Sequence, residues 1–168
     1  MIVSGVDPGK TGAMVTLFED GSSIVDRVPL RNGPKGKGPR PDYPAWATSW
    51  RSSIDFNRPD VFMMEEVEAR PGQGVVSMFS FGKTMGFAMG VILGFEIPVH
   101  YERPSIWKAK MGLVGFDKSA SVSLARELVP SIIPELDRKL KGNTAEVKHG
   151  IAEAALLAYY AVKTIASR

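Results

Sequence analysis

The sequence contains no cysteine and only two histidines among its 168 residues. The absence of cysteine excludes disulfide bonds, thiolate catalysis and zinc sites built from cysteine. Two histidines leave little for a metal site made of imidazole ligands. Sites that bind hard cations through Asp and Glu oxygens remain possible.

The sequence also has little excess of charge and no long apolar run. Lys and Arg total 21 against 18 Asp and Glu, a net charge of +3, so the placement of charges must decide the partner. The longest apolar run, Met85 to Phe95, is shorter than the roughly 20 residues of a membrane-spanning helix, and the N-terminus lacks a signal-peptide pattern. We therefore expect a cytoplasmic protein with no membrane partner, folded as a single domain over residues 1–168.

Local patterns predict an α/β protein. Apolar, β-branched segments at 1–6, 12–20 and 22–30 predict three antiparallel strands. Residues 31–42, rich in Gly, Pro and basic side chains, predict an irregular loop. Asp42 is a predicted N-cap for a helix with Trp46, Trp50 and Ile54 on its buried face. Further strands are predicted at 60–67 and 97–101, and further helices at 75–95, 117–129 and from 143 onward.

Glycine recurs at every fourth position of the helix predicted at 75–95, at Gly82, Gly86, Gly90 and Gly94. Each glycine inside a helix costs about 1 kcal/mol relative to alanine, so the pattern indicates the close approach of another backbone. Tight packing within the monomer and a dimer interface are both compatible with it.

Three acids from distant parts of the chain are candidates for one site. Asp7 ends the first strand and is followed by Pro8 and Gly9, which break the strand and leave the carboxylate at the edge of the sheet. Glu65 lies in the fourth strand and Glu153 in the last helix. Helices can cover the face of such a sheet, so the three carboxylates can converge, and a divalent cation is a suitable partner for several buried acids.

Neighbouring residues leave alternatives open. Strand alternation separates Glu65 from Glu66 and Glu68 but does not by itself select between the two faces. In the last helix His149 shares the direction of Glu153 and is a candidate ligand or proton carrier. Asn143 and Glu146 have the spacing of a capping box, which we prefer to a ligand role for Glu146.

Three motifs resemble those of RuvC-type Holliday junction resolvases, members of the RNase H-like superfamily, with the phage-encoded branch most similar. "GVDPGKTGA" resembles the first-strand motif with its metal-binding Asp7, "MEEV" the fourth-strand motif with Glu65, and "KHGIAEAALLAYYA" the closing helix with Glu153. The resemblance covers nearly the whole chain. It implies an RNase H-like fold with a mixed five-stranded sheet, three antiparallel strands first and two parallel additions after them, flanked by helices.

The closing helix departs from the family pattern. The position three residues before Glu153 holds Gly150, where the family has an acid or histidine, and the terminal acid is Glu where Asp is usual. We rank the replacements for the fourth ligand as His149, then Glu146, then water.

The resemblance implies a crossover junction endonuclease that acts as a homodimer on branched DNA, especially four-way junctions. Two Mg²⁺ ions about 4 Å apart, which Mn²⁺ can replace, would be held by Asp7, Glu65, Glu153 and His149 and would assist hydrolysis of the phosphodiester bond. Basic loop residues would contact DNA phosphates, and the segment from Arg103 to Lys110 around Trp107 is the strongest patch. The predicted DNA contacts are Lys10, Lys35, Lys37, Lys83, Arg103, Lys108, Lys110 and Lys118.

Other functions compete with this hypothesis. A different RNase H-like nuclease would cut RNA–DNA hybrids or other branched DNA, and a junction-binding protein without activity would explain Gly150. The segment "DPGKTGA" also resembles the first phosphate loop of actin-like sugar kinases, which need a second such domain. For Phe79 and Phe81 we expect packing in the core rather than insertion into a junction.

Overall fold

The computed structural model describes residues 1–68, 71–140 and 142–165. Its main sheet has five strands, β1 (Val3–Asp7), β2 (Ala13–Leu17), β3 (Ser23–Arg27), β6 (Val61–Glu65) and β7 (Val99–Glu102), in the order β3-β2-β1-β6-β7. The first three strands are antiparallel, whereas β6 and β7 are added parallel to β1. The predicted mixed sheet is therefore confirmed.

In the described part of the chain, six α-helices flank the sheet: α1 (Tyr43–Asn57), α2 (Val75–Leu93), α3 (Pro104–Lys110), α4 (Lys118–Leu128), α5 (Ile133–Leu136) and α6 (Ala145–Ile165). A 3₁₀ turn at Pro130–Ile132 precedes α5. The predicted cap of α1 is confirmed, because the Asp42 carboxylate accepts a hydrogen bond from the backbone N–H of Ala45 at 3.2 Å. Asp117 caps α4 in the same way.

The predicted capping box at the start of α6 is wrong. The Thr144 hydroxyl, and not the Asn143 side chain, accepts from the backbone N–H of Val147 at 3.4 Å. The Asn143 amide instead donates to the carbonyls of Leu136 and Arg138, at 3.0 and 2.8 Å. Asn143 therefore ties the end of α5 to the start of α6, because its amide can donate two hydrogen bonds.

The sheet separates two apolar cores, because successive residues of a strand point to opposite faces. On one face α6 and α4 pack against Val3, Val61 and Met63. On the other face α1 and α2 supply Trp46, Trp50 and Ile92, which pack with Val6, Phe62 and Met64. The prediction that Trp46 and Trp50 belong to the core is confirmed, since both are fully buried.

The segment predicted to be irregular carries a small hairpin. Strands β4 (Leu30–Arg31) and β5 (Arg40–Pro41) pair antiparallel and form a separate two-stranded sheet. Lys35 and Lys37 lie in the exposed connection between them. The hairpin therefore holds a basic loop beside the main sheet.

Helix α2 is unusually exposed for its composition. Val75, Val76 and Phe79 are 75–84% exposed, so the expectation that Phe79 packs in the core is wrong; Phe81 is half-buried. Among the described residues, α2 is the one helix long and apolar enough by length and composition to cross a membrane, and only 17% of that window is buried. This finding differs from the expectation based on the run Met85 to Phe95, and the absence of a membrane partner stays a prediction.

Candidate active site

The three candidate acids come together because β1, β6 and α6 approach closely. Gly5 in β1 lies directly under α6, where a Cβ atom would collide with the backbone of Ala154 and Ala158. The small side chains of the alanine-rich helix and the missing side chain of Gly5 thus allow helix and sheet backbones to touch. This contact places Glu153 beside the end of β1, where Asp7 lies.

Strand register selects Glu65 from its neighbours. Val61 and Met63 pack against the α6 side of the sheet, and Glu65 follows them by alternation, whereas Phe62 and Met64 belong to the opposite core. Glu66 and Glu68 lie away from the acid cluster and face Arg103, at 3.6 and 3.8 Å. The structure therefore brings Glu65, and not its neighbours, to Asp7 and Glu153.

A lysine and a histidine accompany the carboxylates. The Lys108 ammonium lies 2.5 Å from Glu153 Oε1 and 3.9 Å from Glu65 Oε1, and His149 Nε2 lies 3.2 Å from the same oxygen of Glu153. The Glu153 side chain is only 9% exposed. Lys108 therefore lies between two acids that belong to different elements.

Two further contacts fix the other carboxylates. The backbone N–H of Gly9 donates to Asp7 Oδ1 at 2.9 Å, so the turn after β1 orients the acid. The indole N–H of Trp107 donates to Glu65 Oε1 at 3.1 Å. Trp107 is fully buried, which corrects the expectation that it belongs to an exposed DNA-binding patch.

Burial and mutual repulsion perturb the acids. Desolvation raises the pKa of Asp7 to about 6, with the Glu153 carboxylate adding to the shift and the N–H of Gly9 opposing it. Desolvation and the charge of Glu153 likewise raise the pKa of Glu65 to about 7. Burial also opposes ionisation of Glu153, but His149 and Lys108 outweigh it and lower its pKa. The cluster thus contains more acidic groups than its cations can neutralise.

The three carboxylates have the chemistry that a hard divalent cation requires, but in this structure their side chains are not gathered around one ion position. Carboxylate oxygens are the ligands that Mg²⁺ prefers, and the repulsion among the three acids indicates a need for positive charge. Within residues 1–68, 71–140 and 142–165, however, no group of three or more Asp, Glu or His side chains is gathered closely enough to hold a metal ion. Lys108 lies between Glu65 and Glu153, so a metal ion bound by both would require its ammonium to move aside.

Gly150 has a packing explanation. A Cβ atom at this position would lie 2.8 Å from the Cα of Gly12 and would collide with the carbonyl of Thr11. The turn between β1 and β2 therefore packs directly on α6, and no side chain fits there. His149, one residue earlier, approaches Glu153 instead, whereas Glu146 is exposed and has its pKa lowered by hydrogen bonds with its own backbone and Thr144.

The predicted DNA-contacting residues fall into two groups. Lys10, Lys35, Lys37, Lys83 and Lys118 are exposed, as expected for phosphate contacts. The others are engaged by protein groups: Arg103 pairs with Glu66 and Glu68, Lys108 with the acid cluster, and Lys110 with the hydroxyl of Tyr160 at 3.2 Å. The segment predicted to be the strongest DNA-binding patch is thus largely occupied by contacts within the chain.

A basic groove lies beside the turn that carries Asp7. It has a volume of about 490 Å³ and is lined by residues that include Lys10, Arg31, Arg40, Tyr43, Phe79 and Lys83. The Lys83 ammonium lies 4.9 Å from the centroid of the Tyr43 ring, a cation–π contact. The groove combines cations from the β1–β2 turn, the small hairpin and α2.

Sequence reasoning missed the roles of Trp107 and Lys108 in the acid cluster. A tryptophan is buried most favourably where its N–H has an acceptor, but the sequence does not identify that acceptor. The basic neighbours of Lys108 favour a DNA-facing position, whereas in the structure its ammonium contacts Glu153. The contact between α3 and the end of β6 joins distant parts of the chain, and local sequence patterns do not encode it.

Comparisons with known proteins give the fold. No family model and no curated protein matches the sequence. The structure is similar to that of Thermus thermophilus RuvC in complex with a Holliday junction substrate, with 14% identity, a TM-score of 0.59, and coverage of 98% of this chain and 97% of that chain. A further Thermus thermophilus RuvC structure gives 16% identity, a TM-score of 0.55, and coverage of 97% and 96%.

The yeast mitochondrial Holliday junction resolvase Ydc2 is also similar. It shares 17% identity with this chain, with a TM-score of 0.52 and coverage of 94% of this chain and 76% of that chain. At such identities the likeness establishes the fold, and it confirms the predicted RNase H-like architecture of RuvC-type proteins.

Proposed function

We propose that this protein is a metal-dependent endonuclease that resolves four-way DNA junctions by hydrolysing phosphodiester bonds. The observation that carries the proposal is the convergence of Asp7, Glu65 and Glu153 at one sheet edge. The fold supports it, since similar structures include a RuvC bound to a Holliday junction substrate.

In this proposal the three carboxylates hold Mg²⁺, or Mn²⁺ in its place, and His149 completes the site. Bound divalent ions would supply an activated water molecule and stabilise the charge on the leaving oxygen. Asp7 is oriented by the Gly9 N–H and Glu65 by the Trp107 N–H, so both acids are held before an ion arrives. His149 contacts Glu153 from the same helix and keeps its carboxylate directed into the cluster.

Lys108 would exchange partners during the reaction cycle. In the described arrangement its ammonium partly neutralises Glu65 and Glu153. A bound divalent cation would supply the positive charge that Lys108 now provides, and the ammonium would then be able to contact the DNA backbone, as its sequence context predicts.

The basic groove offers a path for one DNA arm. Lys10, Arg31, Arg40 and Lys83 present positive charge next to the Asp7 turn. Contacts of this kind position the backbone without reading the sequence and make binding salt-dependent. The proposal therefore assigns selectivity to the shape of the branched substrate.

A homodimer would match the two-fold symmetry of paired cuts across a junction. Apart from the backbone of α2 itself, no atom of the described residues lies within 4 Å of the position that a Cβ would take at Gly82, Gly86 or Gly90. Close packing within the described chain therefore does not explain the glycine pattern. The exposed apolar side of α2 is the surface that we assign to the second copy.

The test is cleavage of a labelled synthetic four-way junction in Mg²⁺, beside duplex DNA and an RNA–DNA hybrid. We expect symmetric cuts in the junction alone, and their loss in Asp7→Asn, which keeps the size of the side chain. Retained junction binding and an unchanged far-UV circular dichroism spectrum in Asp7→Asn would show that the variant is folded.

Other outcomes of the cleavage assay would support a different function for this protein. Cleavage of the hybrid or of all branched substrates would indicate a different RNase H-like nuclease. Tight junction binding without cleavage in Mg²⁺ or Mn²⁺ would indicate a binding protein and overturn the enzymatic proposal.

A further inference from the structure

Glu65 accepts a hydrogen bond from a buried, neutral side chain. Trp107 in α3 donates its indole N–H to Glu65 Oε1 over 3.1 Å. The Trp107 side chain is fully buried in the core under α6, and the Glu65 side chain is 13% exposed. The hydrogen bond therefore approaches the carboxylate from the buried side of the cluster.

The next residue of α3, Lys108, approaches the same Glu65 oxygen as a charged group. The Lys108 ammonium lies 3.9 Å from Glu65 Oε1 and 5.1 Å from the centroid of the Trp107 ring. Lys108 is partly exposed and has a flexible side chain, so it can leave the cluster. Trp107 is enclosed on all sides and cannot follow.

The chemistry of the indole makes this contact directional. Its N–H is a donor only, and a buried donor that loses its acceptor is strongly disfavoured. Rotation of Glu65 away from Trp107 would leave that donor unpaired. The contact thus favours orientations in which a Glu65 oxygen faces the Trp107 N–H, whether or not Lys108 is present.

We propose that Trp107 is a positioning residue that holds the Glu65 carboxylate in the orientation needed to bind a divalent cation. This inference rests on the proposed metal-dependent function. It assigns to Trp107 no contact with substrate, and it gives α3 a role in metal affinity in addition to packing.

The test replaces Trp107 with Phe, which keeps an aromatic side chain in the core but removes the N–H. Partners of metal-binding side chains commonly change metal affinity when removed, so we expect Mn²⁺ binding, measured by electron paramagnetic resonance of the free ion, to weaken about tenfold. The Mg²⁺ concentration that gives half-maximal cleavage should rise by a similar factor, whereas the rate at saturating Mg²⁺ should change much less.

Trp50 provides a matched control on the opposite face of the sheet. It is also fully buried, and its indole N–H donates to the carbonyl of Asp26 at 3.2 Å. Trp50→Phe removes an equivalent buried hydrogen bond away from the acids. We expect it to lower the metal-free melting temperature about as much as Trp107→Phe does, with unchanged Mn²⁺ affinity.

The outcomes separate this inference from the proposed function. Unchanged Mn²⁺ affinity in Trp107→Phe, or equal weakening in Trp50→Phe, would overturn the positioning role even if the wild type cleaves junctions. Weakened Mn²⁺ binding in Trp107→Phe alone would support it even if no substrate is cleaved. A wild type that binds no Mn²⁺ at a site dependent on Asp7 would overturn it as well.

Discussion

At the scale of single residues, Gly150 shows how packing can displace a functional side chain. The turn between β1 and β2 must lie close to α6 for Asp7 and Glu153 to interact, and Gly150 is the point where the two backbones meet. An acid or histidine at this position would separate the elements that the site needs together. The chain instead presents His149 to Glu153 from the preceding position.

We expect an acid at position 150, a residue type found there in the family that the sequence resembles, to be harmful. Gly150→Asp would force the side chain against Thr11 and Gly12, and overpacking of this kind costs about 1–3 kcal/mol. Urea denaturation should show that destabilisation, and junction cleavage should fall rather than rise.

Ala145→Asp is the control, because it adds the same side chain at an exposed position in the first turn of α6. An acid near a helix N-terminus is compatible with the helix dipole, so stability should be nearly unchanged. A stable and more active Gly150→Asp variant would contradict the packing explanation.

At the scale of elements, α2 is the helix with the strongest requirement for a partner. No other element of the described chain lies against Gly82, Gly86 or Gly90. The first turns of α2 also expose Val75 and Phe79 to solvent. A second copy of α2 would cover this surface and allow two helix backbones to approach closely.

A bulky side chain on the glycine surface should prevent that approach. We expect Gly86→Leu to shift the protein from dimer to monomer in sedimentation equilibrium at micromolar concentration, while the fold is retained. Ser123→Leu, on the exposed surface of α4, adds the same side chain elsewhere and should leave the dimer intact. A wild-type protein that sediments as a monomer would contradict the role assigned to α2.

Elements were more predictable from the sequence than their contacts. The strands followed from local apolar patterns, and the mixed sheet with its two parallel additions was implied by the family resemblance. Strand alternation placed Glu65 once the face of Met63 and Met64 was known. The capping box failed because Thr144 and Asn143 offer competing hydrogen bonds, which only the position of α5 decides. Lys108 and Trp107 join the acid cluster through the packing of α3 on β6, a contact that no local spacing encodes.

At the scale of the whole molecule, an acid cluster and a basic groove lie side by side. Acids converge where β1 and β6 end, and cations line the groove from Lys10 to Lys83. We therefore expect the groove to bind the phosphate backbone of DNA.

Lys83→Ala should weaken junction binding and make the binding constant less dependent on salt, with a slope smaller by about one for each phosphate that the lysine neutralises. Fluorescence anisotropy at several salt concentrations would measure both effects. Lys163→Ala, a variant of a lysine in the last turn of α6, should leave the slope unchanged. Equal slopes for Lys83→Ala and the wild type would show that the groove does not hold DNA.

The acid cluster should make the stability of the metal-free protein depend on pH. Folding raises the pKa of Asp7 from 3.8 to about 6 and that of Glu65 from 4.5 to about 7. Between pH 5 and pH 8 the folded state therefore binds more protons than the unfolded state, so the free energy of unfolding falls as pH rises. A difference of one in pKa corresponds to about 1.4 kcal/mol, so the fall should amount to a few kcal/mol.

Divalent cations should reverse this trend, because they bind the ionised carboxylates and replace the missing positive charge. We expect Mg²⁺ to raise the melting temperature more at pH 8 than at pH 5, and EDTA to abolish the difference. Asp7→Asn carries one fewer buried acid, so its metal-free stability should fall less with pH and respond less to Mg²⁺. A metal-free melting temperature that rises from pH 5 to pH 8 in the wild type, and not in Asp7→Asn, would contradict the proposed electrostatics, since it would mean that the cluster already contains enough positive charge.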